Sequence, residues 1–133
     1  MKWYLPDEDY VTESDALLTA YSLGQVVWMA PQHIYYEVSN ALRTAVHRGR
    51  LAELRAQQAM LEFLELSIPS VIGTQLIVRG WNASVLHGCA LYDGLYLALA
   101  ELLDAPLVHA DERLRNTLNG NFANEVWIED LTL

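Results

Sequence analysis

Three carboxylates, Glu37, Asp93 and Asp111, occupy positions from which an acidic group can do chemistry. Glu37 falls one turn from Ile34 and Ala41, at the edge of an apolar stripe rather than on the face opposite it. Asp93 opens a segment that is apolar on nearly every side, and Asp111 follows directly on Leu107-Val108-His109-Ala110. Each has an ordinary explanation. Glu37 can snorkel past the stripe or pair with an arginine, Asp93 can sit at a helix start for the roughly 0.3–1 kcal/mol the dipole offers, and Asp111 can cap a helix. If the three share one crevice, the chemistry changes. Two carboxylates about 5 Å apart repel by roughly 3 kcal/mol at an effective dielectric near 20, so the cluster persists only if a proton or a cation resolves it. All-oxygen donors suit Mg²⁺ or Mn²⁺.

The elements that position these groups alternate in type. Residues 12 to 23 read as a helix with hydroxyls at its start and Gly24 at its stop. Val26 to Ala30 reads as a short strand bounded by Gly24 and Pro31, and Pro31 opens a helix that runs to about Arg48. Its apolar positions Ile34, Val38, Ala41, Leu42 and Ala45 repeat at three and four. A further helix spans about Leu51 to Leu66, and Ile68 to Ile72 is an edge strand because of Pro69. Helices over 74–86 and 90–103 follow, then a strand over 106–110, a short helix from Asp111 to about Leu118 and a last strand over 125–128. Strands separated by helices predict an α/β fold, with a parallel sheet and ligands outside the strands' carboxyl ends.

Composition narrows the function classes. The 133 residues carry 17 Asp and Glu against 8 Lys and Arg, a formal net charge of -9, and 53% of them are hydrophobic. That is one globular domain over residues 1–133, and not collagen, a disordered chain or a disulfide scaffold. His87, Asp93 and Glu101 interrupt the most apolar stretch, so no membrane span is expected. The first residues lack the pattern of a signal peptide, and Cys89 is the single cysteine; both point to a cytoplasmic home. A uniformly negative surface repels a phosphate backbone, so nucleic acid would be met locally, through clustered arginines or a cation that reverses the sign of an acidic pocket.

Four blocks stand in order along the chain: Lys2-Trp3-Tyr4-Leu5-Pro6-Asp7-Glu8, then Ala30-Pro31 through Tyr36-Glu37-Val38-Ser39-Asn40-Ala41-Leu42, then Ala90 to Ala100 around Asp93, then Ala105 to Leu114 around Asp111. Together they resemble the PIN domain, especially the ribonuclease toxins of VapBC-type toxin–antitoxin pairs. The resemblance implies a three-layer α/β/α sandwich with a short parallel sheet. It also implies a metal-dependent endoribonuclease in which Asp93 and Asp111 ligate Mg²⁺ or Mn²⁺ and Glu37 holds a bound water or a second ion. A cation so held would polarise the phosphodiester, help deprotonate a water for in-line attack and steady the leaving oxygen. The partners implied are an RNA substrate, a small antitoxin with a basic segment, and a second copy in a homodimer.

Two departures from the family accompany the match. The family's central first strand, ending in an acidic residue before the Lys-Trp position, is not found here, since Met1 stands immediately before Lys2-Trp3; either the true start lies upstream or the domain works without that strand and its carboxylate. His109 stands where relatives commonly carry Thr or Ser; it is a candidate modulator or extra ligand, with a tolerated strand-end substitution as the plainer account. Arg113 and Arg115 are candidates for holding substrate phosphates, against the ordinary role of surface arginines as partners of nearby acids. Tyr10, Tyr21 and Tyr36 are candidates for a dimer surface. Besides the nuclease, a catalytically impaired PIN-like binding or scaffold module is the alternative reading, and another metal-dependent hydrolase such as a phosphatase has only the carboxylates in its favour.

Overall fold

The structure is a computed structural model that describes residues 9–133; the block Lys2 to Glu8 lies outside the described residues. Among the described residues are six α-helices and four short strands, a mixed α/β architecture with parallel pairing. By their contacts the residues divide into two compact units, one reaching to Ser70 and one running from Val71 to Leu133.

The first unit begins with α1 (Val11–Ser22), entered from Tyr10 in a left-handed conformation and closed by Leu23 and Gly24. The strand expected over Val26 to Ala30 is shorter and later than its apolar run suggests. Only Ala30–Pro31 (β1) pairs, its Ala30 N–H donating to the Pro69 carbonyl at 3.1 Å, and Pro31 belongs to that strand rather than to the helix that follows. A β-branched run favours extended backbone, but a ladder needs a partner, and here the partner is just two residues long: β2 (Ser70–Val71).

Helix α2 (Ile34–His47) buries Val38, Leu42 and Ala45 at spacings of four and three, and α3 (Glu53–Glu65) buries Ala56, Ala59 and Phe63 in the same way. These two stripes face each other, with the Tyr35 and Phe63 rings 5.7 Å apart. The chain leaving α3 is fixed by tyrosine hydroxyls, Tyr21 donating to the Leu66 carbonyl at 3.0 Å and Tyr35 to that of Ile68 at 2.7 Å. Tyr21 also stacks on Trp28 at 4.2 Å. Its phenol is thus engaged inside the unit, whereas Tyr36 is 74% exposed.

The second unit is built around α4 (Thr74–His87) and α5 (Leu91–Leu103), between which the chain bends by 108°. Helix α5 is apolar nearly all round because most of it is covered: Gly94, Leu95 and every residue from Leu97 to Ala100 are buried. Leu97, fully enclosed, contributes about 1.5–3 kcal/mol by burial alone. It packs with Ala83, Ala100, Leu114, Leu118 and Phe122, and Cys89 and Leu107 lie against the same cluster.

The α4–α5 crossing depends on two glycines. A Cβ on Gly94 would collide with the Gly80 carbonyl oxygen and come within 2.9 Å of the Ser84 Cβ; one on Gly80 would come within 2.6 Å of a Leu95 methyl. Gly94→Ala is therefore expected to cost about 3 kcal/mol, the upper end for overpacking, because its obstacle is backbone and cannot rotate away. Urea unfolding checks this; an unchanged midpoint would refute it.

Strand β3 (Leu107–His109) runs parallel to β4 (Glu125–Trp127), pairing Leu107 with Glu125 and His109 with Trp127. Helix α6 (Glu112–Leu118) crosses between them, stopping at Asn119 in a left-handed conformation, and a 3-10 turn at Ile128–Asp130 follows β4. No single helix among the described residues is long and apolar enough to cross a membrane. Helix α4 nevertheless leaves Ile77, Val78, Trp81, Val85 and Leu86 more than half exposed, Trp81 at 60%, and it contains no acidic residue.

Candidate metal centre

Asp93 and Asp111 come from the starts of two helices in the second unit. Asp93 is the third residue of α5, half-buried, and accepts a hydrogen bond from the backbone N–H of Ala90, the residue that caps the helix. This is the reach-back half of a capping box, supplied by a carboxylate. Asp111 caps α6: its Oδ1 accepts the N–H of Arg113 at 2.9 Å and of Leu114 at 3.1 Å. Both bonds converge on Oδ1, so neither uses Oδ2. The ordinary reading of Asp111 as an N-cap and a ligand role are therefore compatible, one oxygen for each.

Asp93 feels the charge of Asp111. Burial, and after it the negative charge of Asp111, push the Asp93 carboxyl above its ordinary value, against the opposing pull of Arg113, the Ala90 N–H and His109. The same burial, with Asp93 as second cause, raises the Cys89 thiol, which makes that thiol a poor nucleophile. Arg113, exposed on the first turn of α6, is thus within electrostatic reach of Asp93.

His109 is held by protein on both ring nitrogens. The Asp111 N–H donates to Nδ1 at 3.3 Å, which leaves Nε2 to carry the proton toward Glu125 Oε1 at 3.0 Å. Its ring also meets Trp127 edge-on at 5.6 Å. The parallel register explains the set, since residues 107, 109, 125 and 127 project to one face of the pair. Arg115 lies elsewhere on α6, with its Cζ 4.4 Å from the Trp127 ring centroid.

Glu37 stands in the first unit, in the first turn of α2, with 43% of its side chain exposed. Its Oε2 is 3.5 Å from His33 Nε2, one turn back. The partner His33 was legible as an i,i+4 spacing, but Glu125 was not, because it reaches His109 only through strand pairing. Among the described residues no group of three or more His, Cys, Asp or Glu side chains gathers to hold a metal. The donor set in the second unit is still chemically suitable: Mg²⁺ is commonly held by one or two carboxylates, with waters and substrate phosphates completing its shell.

The family profile of the PIN domain matches residues 2–118, a span that runs through both units. The chain belongs to the PIN domain family. Comparison with curated proteins gives no match. PIN domains are generally nucleases, often toxins, and generally use divalent metals. Within the PIN match fall all three sequence-predicted carboxylates and both arginines.

Proposed function

We propose that this chain is a metal-dependent endoribonuclease, the toxin half of a toxin–antitoxin pair, working as a single domain over residues 1–133. The observation that carries the reading is the Asp93 carboxyl at the start of α5, pushed above its ordinary value by burial and then by the charge of Asp111 at the start of α6, in a chain of a nuclease family. A proton or a cation relieves that repulsion, and a site evolved for phosphodiester hydrolysis uses the cation. Asp93 and Asp111 would hold Mg²⁺ or Mn²⁺, with Glu37 as the third carboxylate. When bound, the ion supplies Lewis-acid polarisation of the scissile phosphate and acidification of a water.

The chain's residues supply the rest. The α6 cap fixes the Asp111 carboxylate before any ligand arrives, so little side-chain entropy remains to be lost on binding. Arg113, already sensed by Asp93, takes a phosphate oxygen. His109 orients Glu125 and the Asp111 backbone rather than the reacting groups.

A net charge of -9 draws a basic antitoxin segment toward the acidic pair. For the homodimer, the α4 face is the patch through which two such negative copies can meet, since it offers Val78, Trp81 and Val85 and no acid. Sedimentation at rising concentration checks that dimer; a monomer throughout refutes it. The cytoplasm is the compartment that fits this reading.

The second reading is a PIN-like binding or scaffold module with impaired catalysis. Incubation of single-stranded RNA with the purified chain decides between them. Nuclease function predicts Mn²⁺-dependent cleavage that EDTA abolishes and Glu37→Gln lowers by about 10–100-fold, as for loss of one supporting ligand. RNA left intact under all conditions would establish the binding module instead.

A further inference from the structure

A cleft of about 370 Å³ opens within the second unit between α6 and β4, walled by Arg115, Asn116, Asn119, Glu125, Trp127 and Asp130. Its volume falls in the roughly 300–1,000 Å³ range of small-ligand sites. Its floor is unusual for a surface depression. The Trp127 indole is 5% exposed and anchored through Nε1–H to Glu129 Oε2 at 2.9 Å, and the Arg115 guanidinium lies over it at 4.4 Å. A rigid aromatic beneath the guanidinium holds a flat cationic plate at the cleft, and arginine planes of this kind stack nucleobases.

The charges select which part of an RNA would enter. One cation and two carboxylates, Glu125 and Asp130, line the cleft. A phosphate would meet net negative charge there, whereas the N–H groups of a base would meet acceptors. Glu125 Oε1 is engaged by His109, which fixes that carboxylate and leaves Oε2 for a ligand. Asn116 and Asn119 each add an amide that both donates and accepts. Guanine is the base whose Watson–Crick edge carries two adjacent donors, N1–H and the 2-amino group, which a carboxylate accepts side by side, next to a carbonyl that an amide N–H satisfies.

We propose that this cleft is a guanine-binding subsite, with the base stacked on the Arg115–Trp127 pair and its donor edge on Asp130 and Glu125. The proposal rests on the ribonuclease reading for the source of the base, and it gives Arg115 a stacking role in place of the phosphate contact expected from sequence. It would make the enzyme selective for RNA carrying guanine near the cleaved bond.

The test follows the Trp127 indole N–H signal of the ¹⁵N-labelled chain, assigned by its loss in Trp127→Phe, during titration with single nucleosides. Guanosine is expected to shift it saturably, inosine, which lacks the 2-amino group, to bind about tenfold more weakly, and adenosine, cytidine and uridine to leave it in place. Asp130→Asn and Arg115→Lys should each weaken guanosine at least about fivefold, the second while keeping the charge. Asp93→Asn should bind guanosine as the wild type does while cutting no RNA, so failure of the nuclease reading and failure of the subsite are read separately. Equal responses to all nucleosides, no response to guanosine, or wild-type binding in Asp130→Asn would overturn the proposal. So would a shift produced by arginine amide and not by guanosine, which would make the cleft a seat for a basic protein partner.

Discussion

Asp93→Asn is expected to abolish cation-dependent RNA cleavage, by at least about 1,000-fold, or roughly 4 kcal/mol of transition-state stabilisation, and at the same time to raise Tm in the presence of EDTA. The first effect follows from removing a ligand charge. The second follows from the direction of the Asp93 shift, which is upward, through burial first and Asp111 second. A carboxyl whose folded pKa is raised gives its full contribution to stability below the unfolded pKa of about 3.9 and loses it as the pH climbs through the folded value. At pH 7 the ionised group is therefore a net cost, and the neutral amide removes it while still accepting the Ala90 N–H. Water screens a half-buried carboxylate, so the gain is about 1 kcal/mol or less. Mn²⁺ should raise the Tm of the wild type and leave that of the variant unchanged. A variant that is less stable in EDTA, or one that still cuts RNA, would remove the acidic pair from the mechanism.

Asp111 has two duties, and two substitutions separate them. Asp111→Ser keeps a side-chain oxygen for the Arg113 and Leu114 N–H groups and should leave urea stability within a few tenths of a kcal/mol. Asp111→Ala loses the cap and should cost about 1 kcal/mol. Both should lose cleavage by at least about 100-fold, since neither supplies a carboxylate oxygen beyond the cap. Equal activity of Ser and wild type would show that capping is the whole role of this residue.

Much of the architecture was legible because it is local. The helix end at Gly24, the three-and-four spacing of Val38, Leu42 and Ala45, and the apolar span that became α5 are all set within a few residues of themselves. The strand at Val26 was misread for the opposite reason. Pairing at Ala30 is decided by Pro69, far along the chain, and a β-branched run carries no record of whether a partner waits for its first or its last residue.

The site divides in the same way. Asp111 as a helix cap follows from Asp directly before a helical pattern, and its coupling to Asp93 is consistent with the family resemblance. The His109–Glu125 bond, the burial of Trp127 and the Arg115 stack depend on the register of two three-residue strands, which no periodicity in so short a segment specifies.

The uncovered flank of α4 governs how the protein will behave in the test tube. With a pI near 4.7, the charge that keeps copies apart fades as the pH falls toward that value. There Trp81, Val78 and Val85 of neighbouring molecules meet without repulsion, and colloidal clumping competes with reversible unfolding. Acid titrations of the wild type should therefore grow more irreversible with protein concentration.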